Sequence, residues 1–247
     1  MGFDRVDLYD SGQYIPDTYS VSEQQQIEMN NPLNLSMSEM FFLENNWVGR
    51  TIYNNTIGVI CIWNGLNWVN QFGDVVYDII FRDDFESGDL SKWSIVNSDV
   101  NKWVVGVSEK NCGSFSMYIS NDDGYSSSYT ATCSNISHAY IDVNIPSGVK
   151  DVRIRFTWKC EGEISKDYMD IYNTPIGITP SSDNEIDDIY EIGIGDHSDN
   201  YVWKEDIITL DNSNVGDRRI VFSWINDTST SSTLGACVDN INIEYIK

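Results

Sequence analysis

The sequence predicts a mainly β protein, in which a short helix and a β-meander form an oligomerisation segment ahead of a jelly-roll β-sandwich. Three observations lead there. The stretch Gly49 to Val69, GRTIYNNTIGVICIWNGLNWV, holds three very short runs of β-branched and aromatic residues closed by Asn and Gly. Beyond Arg82 such runs recur at about ten to fifteen residues, the spacing of an all-β sandwich. Most of them alternate: Val152, Ile154, Phe156 and Trp158 share one face of a strand while Arg153, Arg155, Thr157 and Lys159 share the other.

Taken in order, residues 1–35 are polar and rich in Gln and Asn, with Gln24, Gln25 and Gln26 consecutive. So little apolar surface cannot offset the entropy of ordering. The segment is expected as an extended arm that docks on a partner through Tyr9, Tyr14, Ile15 and Tyr19, or as a loose tail in the isolated monomer. Residues 36–72 open on Ser36-Met37-Ser38-Glu39, a capping box before the apolar run Met40 to Leu43, so a short helix is expected there, ending at Asn45-Asn46. The meander follows, with strands Arg50 to Tyr53 and Val59 to Trp63 and a type I′ turn expected at Asn64-Gly65. A sheet this small cannot cover both of its faces. Ile52, Tyr53, Ile60, Ile62, Trp63 and Trp68 therefore call for a neighbouring subunit, and Ile52, Tyr53, Ile60, Trp63 and Trp68 are the expected oligomerisation residues.

Residues 73–82 read as a linker, and residues 83–247 as one domain. Its expected strands are Trp93 to Val96, Trp103 to Val107, Ser116 to Ser120, His138 to Val143, Arg153 to Lys159, Tyr168 to Asn173, Trp203 to Thr209, Arg218 to Ile225 and Asp239 to Tyr245. Loops rich in Asp, Asn, Gly and Ser join them, as at Asn121 to Ser128 and Pro180 to Asp188.

The 247 residues carry a formal charge of −23. An acidic surface repels phosphates, which argues against nucleic acid as a partner. The charge is spread along the chain and reads as solubilising surface with cation sites in loops. Five cysteines at irregular spacing, with two histidines in the whole chain, give no zinc pattern and read as reduced core residues; a Cys112 to Cys133 bridge stays open. The acidic, polar start lacks the features of a secretory signal, and no apolar run is long enough to cross a membrane, so neither ordinary secretion nor membrane insertion is expected.

Two resemblances add to this. Gly49, Tyr53, Asn54, Thr56, Trp63, Asn64, Gly65, Trp68 and Val69 together resemble a short module of bacteriophage fibre and adhesin proteins, although an ordinary meander inside a larger β-domain would also read this way. Residues 83–247 are similar to the jelly-roll domains of the cleaved-adhesin and choice-of-anchor type, relatives of the MAM domain. The matching runs are Asp84 to Leu90 with Trp93, Asn101 to Gly106, Tyr118 to Asp122, Phe156 to Gly162, Arg219 to Trp224 and Val238 to Ile243. That resemblance implies a structural calcium ion tying Glu86 to Asp239, although Asp239-Asn240 stands where the family has paired aspartates, and the two carboxylates would otherwise cap turns. In overall plan the chain resembles the trimeric head-fibre proteins of crAss-like phages. This implies a homotrimer, assembled in the bacterial cytoplasm, that docks on the phage capsid through its N-terminal arm and displays the jelly roll from the virion to a host surface glycan. A tail-attached receptor-binding protein and a cellular carbohydrate-binding adhesin module are the alternatives.

Catalytic signals are sparse. Neither His138 nor His197 adjoins a nucleophile motif, Ile192 to Asp196 lacks the context of a nucleotide loop, and nothing in the sequence singles out Asp167 or Asp170 as an acid. No enzyme is expected, and a polysaccharide depolymerase would need a β-helix repeat or catalytic pair that the sequence does not display. Exposed aromatic residues are the expected ligand contacts: Tyr125 and Tyr129 in a serine-rich loop, Tyr190 and Tyr201, with Trp203, can stack on sugar rings. Trp93, Trp103, Trp158 and Trp224 are expected in the core.

Overall fold

The computed structural model describes residues 33–35, 48–55, 58–73, 75–193, 195–211, 214–229 and 234–246. The docking residues Tyr9, Tyr14, Ile15 and Tyr19 and the helix expected from Ser36 lie outside them. The chain divides into two compact units, Met1–Asp78 with Ile246–Lys247, and Ile79–Tyr245.

The first unit contains a four-stranded sheet in which β1 (Leu33–Leu35), β2 (Thr51–Asn54), β3 (Val59–Trp63) and β4 (Trp68–Asn70) lie in chain order. β1 runs parallel to β2, with Leu33 opposite Ile52; three residues are too few to show alternation, and the sequence reading left them in the arm. The period of two puts Ile52, Cys61 and Trp68 on one face, where they form a small core with Val76, packed by Leu33, Leu35, Val59 and Trp63. Trp63 and Trp68 are cross-strand partners with rings edge to face at 5.7 Å. Ile52 and Trp68 are thus covered within the unit itself. Tyr53 and Ile60, opposite one another in the register, sit on the other face and are each 40% exposed. The Asn64-Gly65 turn differs from expectation. With Trp63 paired to Trp68 the loop has four residues, and the Asn64 side chain takes over the turn by accepting from the N–H groups of Leu66 (2.9 Å) and Asn67 (2.8 Å).

The second unit is a β-sandwich. Its strands are β5 (Asp78–Asp83), β6 (Ser94–Val96), β7 (Lys102–Gly106), β8 (Ser116–Ser120), β9 (Asn135–Ile145), β10 (Asp151–Cys160), β11 (Tyr168–Pro175), β12 (Asn200–Leu210), β13 (Gly216–Asn226) and β14 (Cys237–Ile246). One sheet has the order β12-β10-β14-β8-β7, with β5 also paired to β14; the other has the order β11-β13-β9-β6. The mainly β jelly-roll fold class read from the sequence is the observed one. β5 is the exception in detail, because Asp78–Asp83 falls in the expected linker. Ile79, Ile80 and Phe81 are consecutive and so give no alternation to read, yet Ile80 and Phe81 pack on the core.

The core lies between the sheets. On β10 the inner residues Val152, Ile154, Phe156 and Trp158 are buried, as alternation requires. They meet Ile220, Phe222 and Trp224 of β13; Phe156 and Phe222 cross at 90° with centroids 5.4 Å apart, and Trp93 lies edge-on to Phe222 at 5.8 Å. Three buried indoles each find an acceptor: Trp93 donates to Asp83 Oδ2 (2.9 Å), Trp103 to the Ser137 carbonyl (3.0 Å) and Trp224 to Asn226 Oδ1 (3.1 Å). On the outer face of β10, Arg153 pairs with Glu244 at 2.6 Å and Lys159 pairs with Glu109. All five cysteines carry free thiols. Cys61, Cys160 and Cys237 are buried, as expected of core residues, whereas Cys112 and Cys133 are exposed because they lie in loops between strands, outside the sheets that build the core.

Replacing Phe222 with Ala removes the ring on which two others close. Denaturant unfolding of the variant is expected to show a loss of about 3–5 kcal/mol. Tyr125→Ala, at an exposed loop position, is expected to stay within about 0.5 kcal/mol of the parent.

Candidate functional site

At one end of the sandwich the loop after β8, the loop after β10 and the start of β12 enclose a cleft of about 440 Å³, lined by Tyr129, Glu161, Gly162, Glu163, Ile164, Asp199 and Tyr201. Strand pairing sets its shape. β10 and β12 run antiparallel with a register shift between Trp158 and Cys160, so that Cys160 faces Asn200 and the next residues, Glu161 and Tyr201, emerge at the rim. The turn after β10 is closed by Glu163, whose carbonyl accepts from the N–H groups of Lys166 (3.0 Å) and Asp167 (2.8 Å). Gly162 is required at this turn, because a Cβ there would collide with the Asp167 carbonyl. From the other side, the Asp199 N–H donates to the Gly162 carbonyl at 3.2 Å, with Asp199 in a left-handed conformation (φ 46°).

Tyr129 forms the floor. It is only 3% exposed, its ring packs edge-on to Trp224 at 4.9 Å, and its hydroxyl donates to Asp167 Oδ2 at 2.5 Å. Asp167 also accepts from the Asp227 N–H at 3.0 Å; burial nevertheless pushes its pKa up, against the pull of these two bonds. Tyr201 forms the wall and is 63% exposed, with the neighbouring Asp199 raising its pKa. Among the described residues the lining holds three carboxylates, Glu161, Glu163 and Asp199, and no Lys or Arg. Ser229 Oγ bonds Glu163 Oε2 at 3.0 Å, and the nearby Lys166 is paired with Asp227 at 3.3 Å.

Two of the four expected ligand tyrosines, Tyr129 and Tyr201, therefore meet in one cleft. Tyr125 stands apart at a loop tip, 90% exposed, and Tyr190 packs with Tyr172, Ile186 and Val221 on the outer face of the β11-β13-β9-β6 sheet. The three carboxylates were not picked out from the sequence. The one local signal was Cys160-Glu161-Gly162-Glu163, a glycine between two acids directly after a strand.

Glu86 and Asp239 are brought to one loop. Glu86 Oε1 accepts from the N–H groups of Ser114 (2.8 Å) and Phe115 (3.0 Å), and Asp239 Oδ2 accepts from Asn111 N–H at 3.1 Å. Burial raises the Asp239 pKa, and Glu86 contributes to the rise. Calcium takes about six to eight oxygens. Among the described residues no group of three or more His, Cys, Asp and Glu is placed to hold a metal ion, so the pair fits an amide clamp on residues 111–115 and falls short of a calcium donor set.

The histidines are structural. His197 packs on Phe156 and Trp158 and bonds Asp206 Oδ2 at 3.0 Å. His138 is buried, with Nε2 on the Ser181 carbonyl (3.1 Å) and Nδ1 on Ser223 Oγ (2.7 Å); both residues are sealed from solvent, and burial lowers the His138 pKa. On the same sheet face Asp170 is 6% exposed, receives the Tyr172 hydroxyl on Oδ2 at 3.2 Å, and has no partner for Oδ1. Burial first, then the charges of Glu191, Asp196 and Asp188, push its pKa up to about 7.

Neither a family model nor a curated protein matches the chain. Among solved structures it is similar to the CBM22-1 xylan-binding domain from Paenibacillus barcinonensis Xyn10C, at 13% identity and a TM-score of 0.43, covering 70% of this chain and 97% of that one. It is also similar to the K1 cleaved adhesin domain of Lys-gingipain from Porphyromonas gingivalis W83, at 11% identity and a TM-score of 0.40, covering 66% of this chain and 96% of that one. A third is the enzymatically active domain of bacteriophage CBA120 tailspike protein 4, at 13% identity and a TM-score of 0.41, covering 66% of this chain and 20% of that one.

Two measurements test this geometry. Because the folded state binds the Asp170 proton more tightly than the unfolded chain, this group's contribution to stability is full below about pH 4 and is lost as pH rises towards 7. Asp170→Asn is expected to flatten that fall and to be more stable than the parent above pH 7, read from unfolding curves across the range. At the amide clamp, Glu86→Ala hands two exposed loop N–H groups to water and is expected to lower stability by about 0.5–1.5 kcal/mol. Melts in millimolar calcium and in chelator are expected to superimpose, and a calcium-dependent rise in Tm would bring further oxygen ligands into the site.

Proposed function

We propose that the sandwich is a glycan-binding module carried by a phage virion fibre, and that the chain associates as a homotrimer through its meander and docks on the capsid or tail through residues 1–35. The observation that carries the binding reading is the cleft itself. An exposed tyrosine ring, Tyr201, stands beside Glu161, Glu163 and Asp199 above an aromatic floor, Tyr129. A sugar presents an apolar face to a ring and hydroxyl donors to carboxylates, so this combination suits it. The fibre reading rests on the resemblance of Gly49 to Val69 to fibre modules and on the paired, half-open Tyr53 and Ile60.

The same cleft is read as binding without hydrolysis. A glycosidase acid has to reach the glycosidic oxygen with a raised pKa. Next to the cleft the group so shifted is Asp167, which is fully buried behind Tyr129 and engaged by its hydroxyl.

Calorimetric titration of the full chain against oligosaccharides that score on a glycan array tests the binding reading. Tyr201→Ala is expected to weaken binding by about 1–2 kcal/mol, roughly ten-fold in Kd, with the melt unchanged, while Tyr125→Ala leaves Kd where it was. Unchanged binding by Tyr201→Ala would place the sugar elsewhere. For assembly, sedimentation of the full chain is expected to give a trimer, and Tyr53→Asp combined with Ile60→Asp to give a monomer with the sandwich intact. Copurification with intact particles separates a virion fibre from a cellular adhesin module.

A further inference from the structure

Resting on the glycan reading, we infer that the cleft is a charge filter: it takes neutral or amine-bearing sugars and excludes those with carboxylate, sulfate or phosphate groups. The lining supplies three carboxylates, Glu161, Glu163 and Asp199. Behind them stand Asp167, on the Tyr129 hydroxyl, and Asp227, whose N–H is bonded to Asp167. Lys166, in the turn closed by Glu163, is already paired with Asp227. Hydrogen-bond character points the same way. An ionised carboxylate is acceptor-only, so the three carboxylates can receive sugar hydroxyls or an ammonium group and have nothing to donate to an acid group of a ligand. An anion entering would face three like charges in a recess where water screens them incompletely. The Tyr201 hydroxyl stands beside Asp199, which raises its pKa, so the ring stays neutral and adds no positive charge.

The test pairs ligands that differ in charge and not in ring. Full-length protein is titrated with galacto-oligosaccharides and oligogalacturonides, with cello-oligosaccharides and their C6-oxidised counterparts, and with N-acetylglucosamine and glucosamine oligomers, at mildly acidic pH where the amine is protonated and carboxylates are ionised. In each pair that registers binding, the acidic member is expected to bind at least ten-fold more weakly than the neutral one, and the amine-bearing member at least as tightly as its acetylated partner. Raising the salt is expected to narrow the neutral-to-acidic gap. Glu161→Lys combined with Glu163→Lys, checked for an unchanged melt, is expected to bind acidic members, whereas Asp183→Lys, outside the lining, is not. The salt arm stands if the double variant fails to fold. Equal or tighter binding of the acidic members by the parent protein would overturn the inference while leaving the glycan reading in place. Absence of binding to every oligosaccharide would overturn the glycan reading and this inference with it.

Discussion

Strand β13 is buried on both faces and paired along both edges, and the second unit is organised around meeting that demand. From Arg219 to Asn226 every residue is buried. β9 covers one edge over eleven residues, from Gly216 opposite Ile145 to Asn226 opposite Asn135, and β11 covers the other over eight. The inner face, Ile220, Phe222 and Trp224, is apolar and meets the opposite sheet. The outer face is not, and a buried polar group without a partner is costly. Residues 176–192 supply the partners: the Ile178 carbonyl accepts from Arg219, the Ser181 carbonyl meets His138, and Ile186 packs on Val221. Arg219 also forks onto Asp142 at 2.7 and 2.9 Å while stacking on Tyr140, so one side chain joins two strands and the covering segment.

The same strand leads into the cleft. At its end Asn226 accepts from Trp224 and from Asn101 Nδ2 (2.8 Å) and donates to the Cys133 carbonyl (3.1 Å), which ties the loops before β7 and β9 to the strand. The next residue, Asp227, holds Asp167, Asp167 holds Tyr129, and Tyr129 packs back on Trp224. The cleft floor is therefore an extension of the core. A ligand meeting it need not order the floor on arrival, and pre-organisation of this kind saves binding free energy.

The strands of the sandwich were legible in the sequence because a half-buried sheet imposes a period of two, and β6 to β14 each carry it or a β-rich run. β5 was not, since three consecutive apolar residues carry no period. In the first unit, Asn64-Gly65 announced a turn but not its length, because Asn serves both the two-residue turn and the longer one built on its own side chain. The cleft was half legible. Tyr129 and Tyr201 were chosen as exposed aromatics, as were Tyr125 and Tyr190, which the fold sends elsewhere, and of the two in the cleft Tyr201 is exposed while Tyr129 is buried as its floor. What separates them is the β10–β12 register shift and the Gly162 turn, tertiary facts that no local pattern displays. Asp170 was hidden for the same reason: its environment is assembled from acids at 188, 191 and 196, far along the chain.

The acidity of the chain also takes on a structural meaning that composition alone did not supply. In a fold of strands and loops, each loop leaves N–H groups in need of acceptors. Asp89 accepts from Ser91, Asp122 from Ser126, Asp227 from Ser229, Glu86 from Ser114 and Phe115, and Asp239 from Asn111. For Asp89, Asp122 and Asp227 these bonds hold the pKa below its ordinary value. What they contribute is present at neutral pH and lost as pH falls, opposite in sign to Asp170. Acid therefore neutralises the buried Asp170 carboxylate while loosening the loops, and Asp227 belongs to the loop that backs the cleft. The two responses meet near the cleft floor, where Asp227, with its pKa held down, donates its N–H to Asp167, whose pKa burial raises as it does that of Asp170.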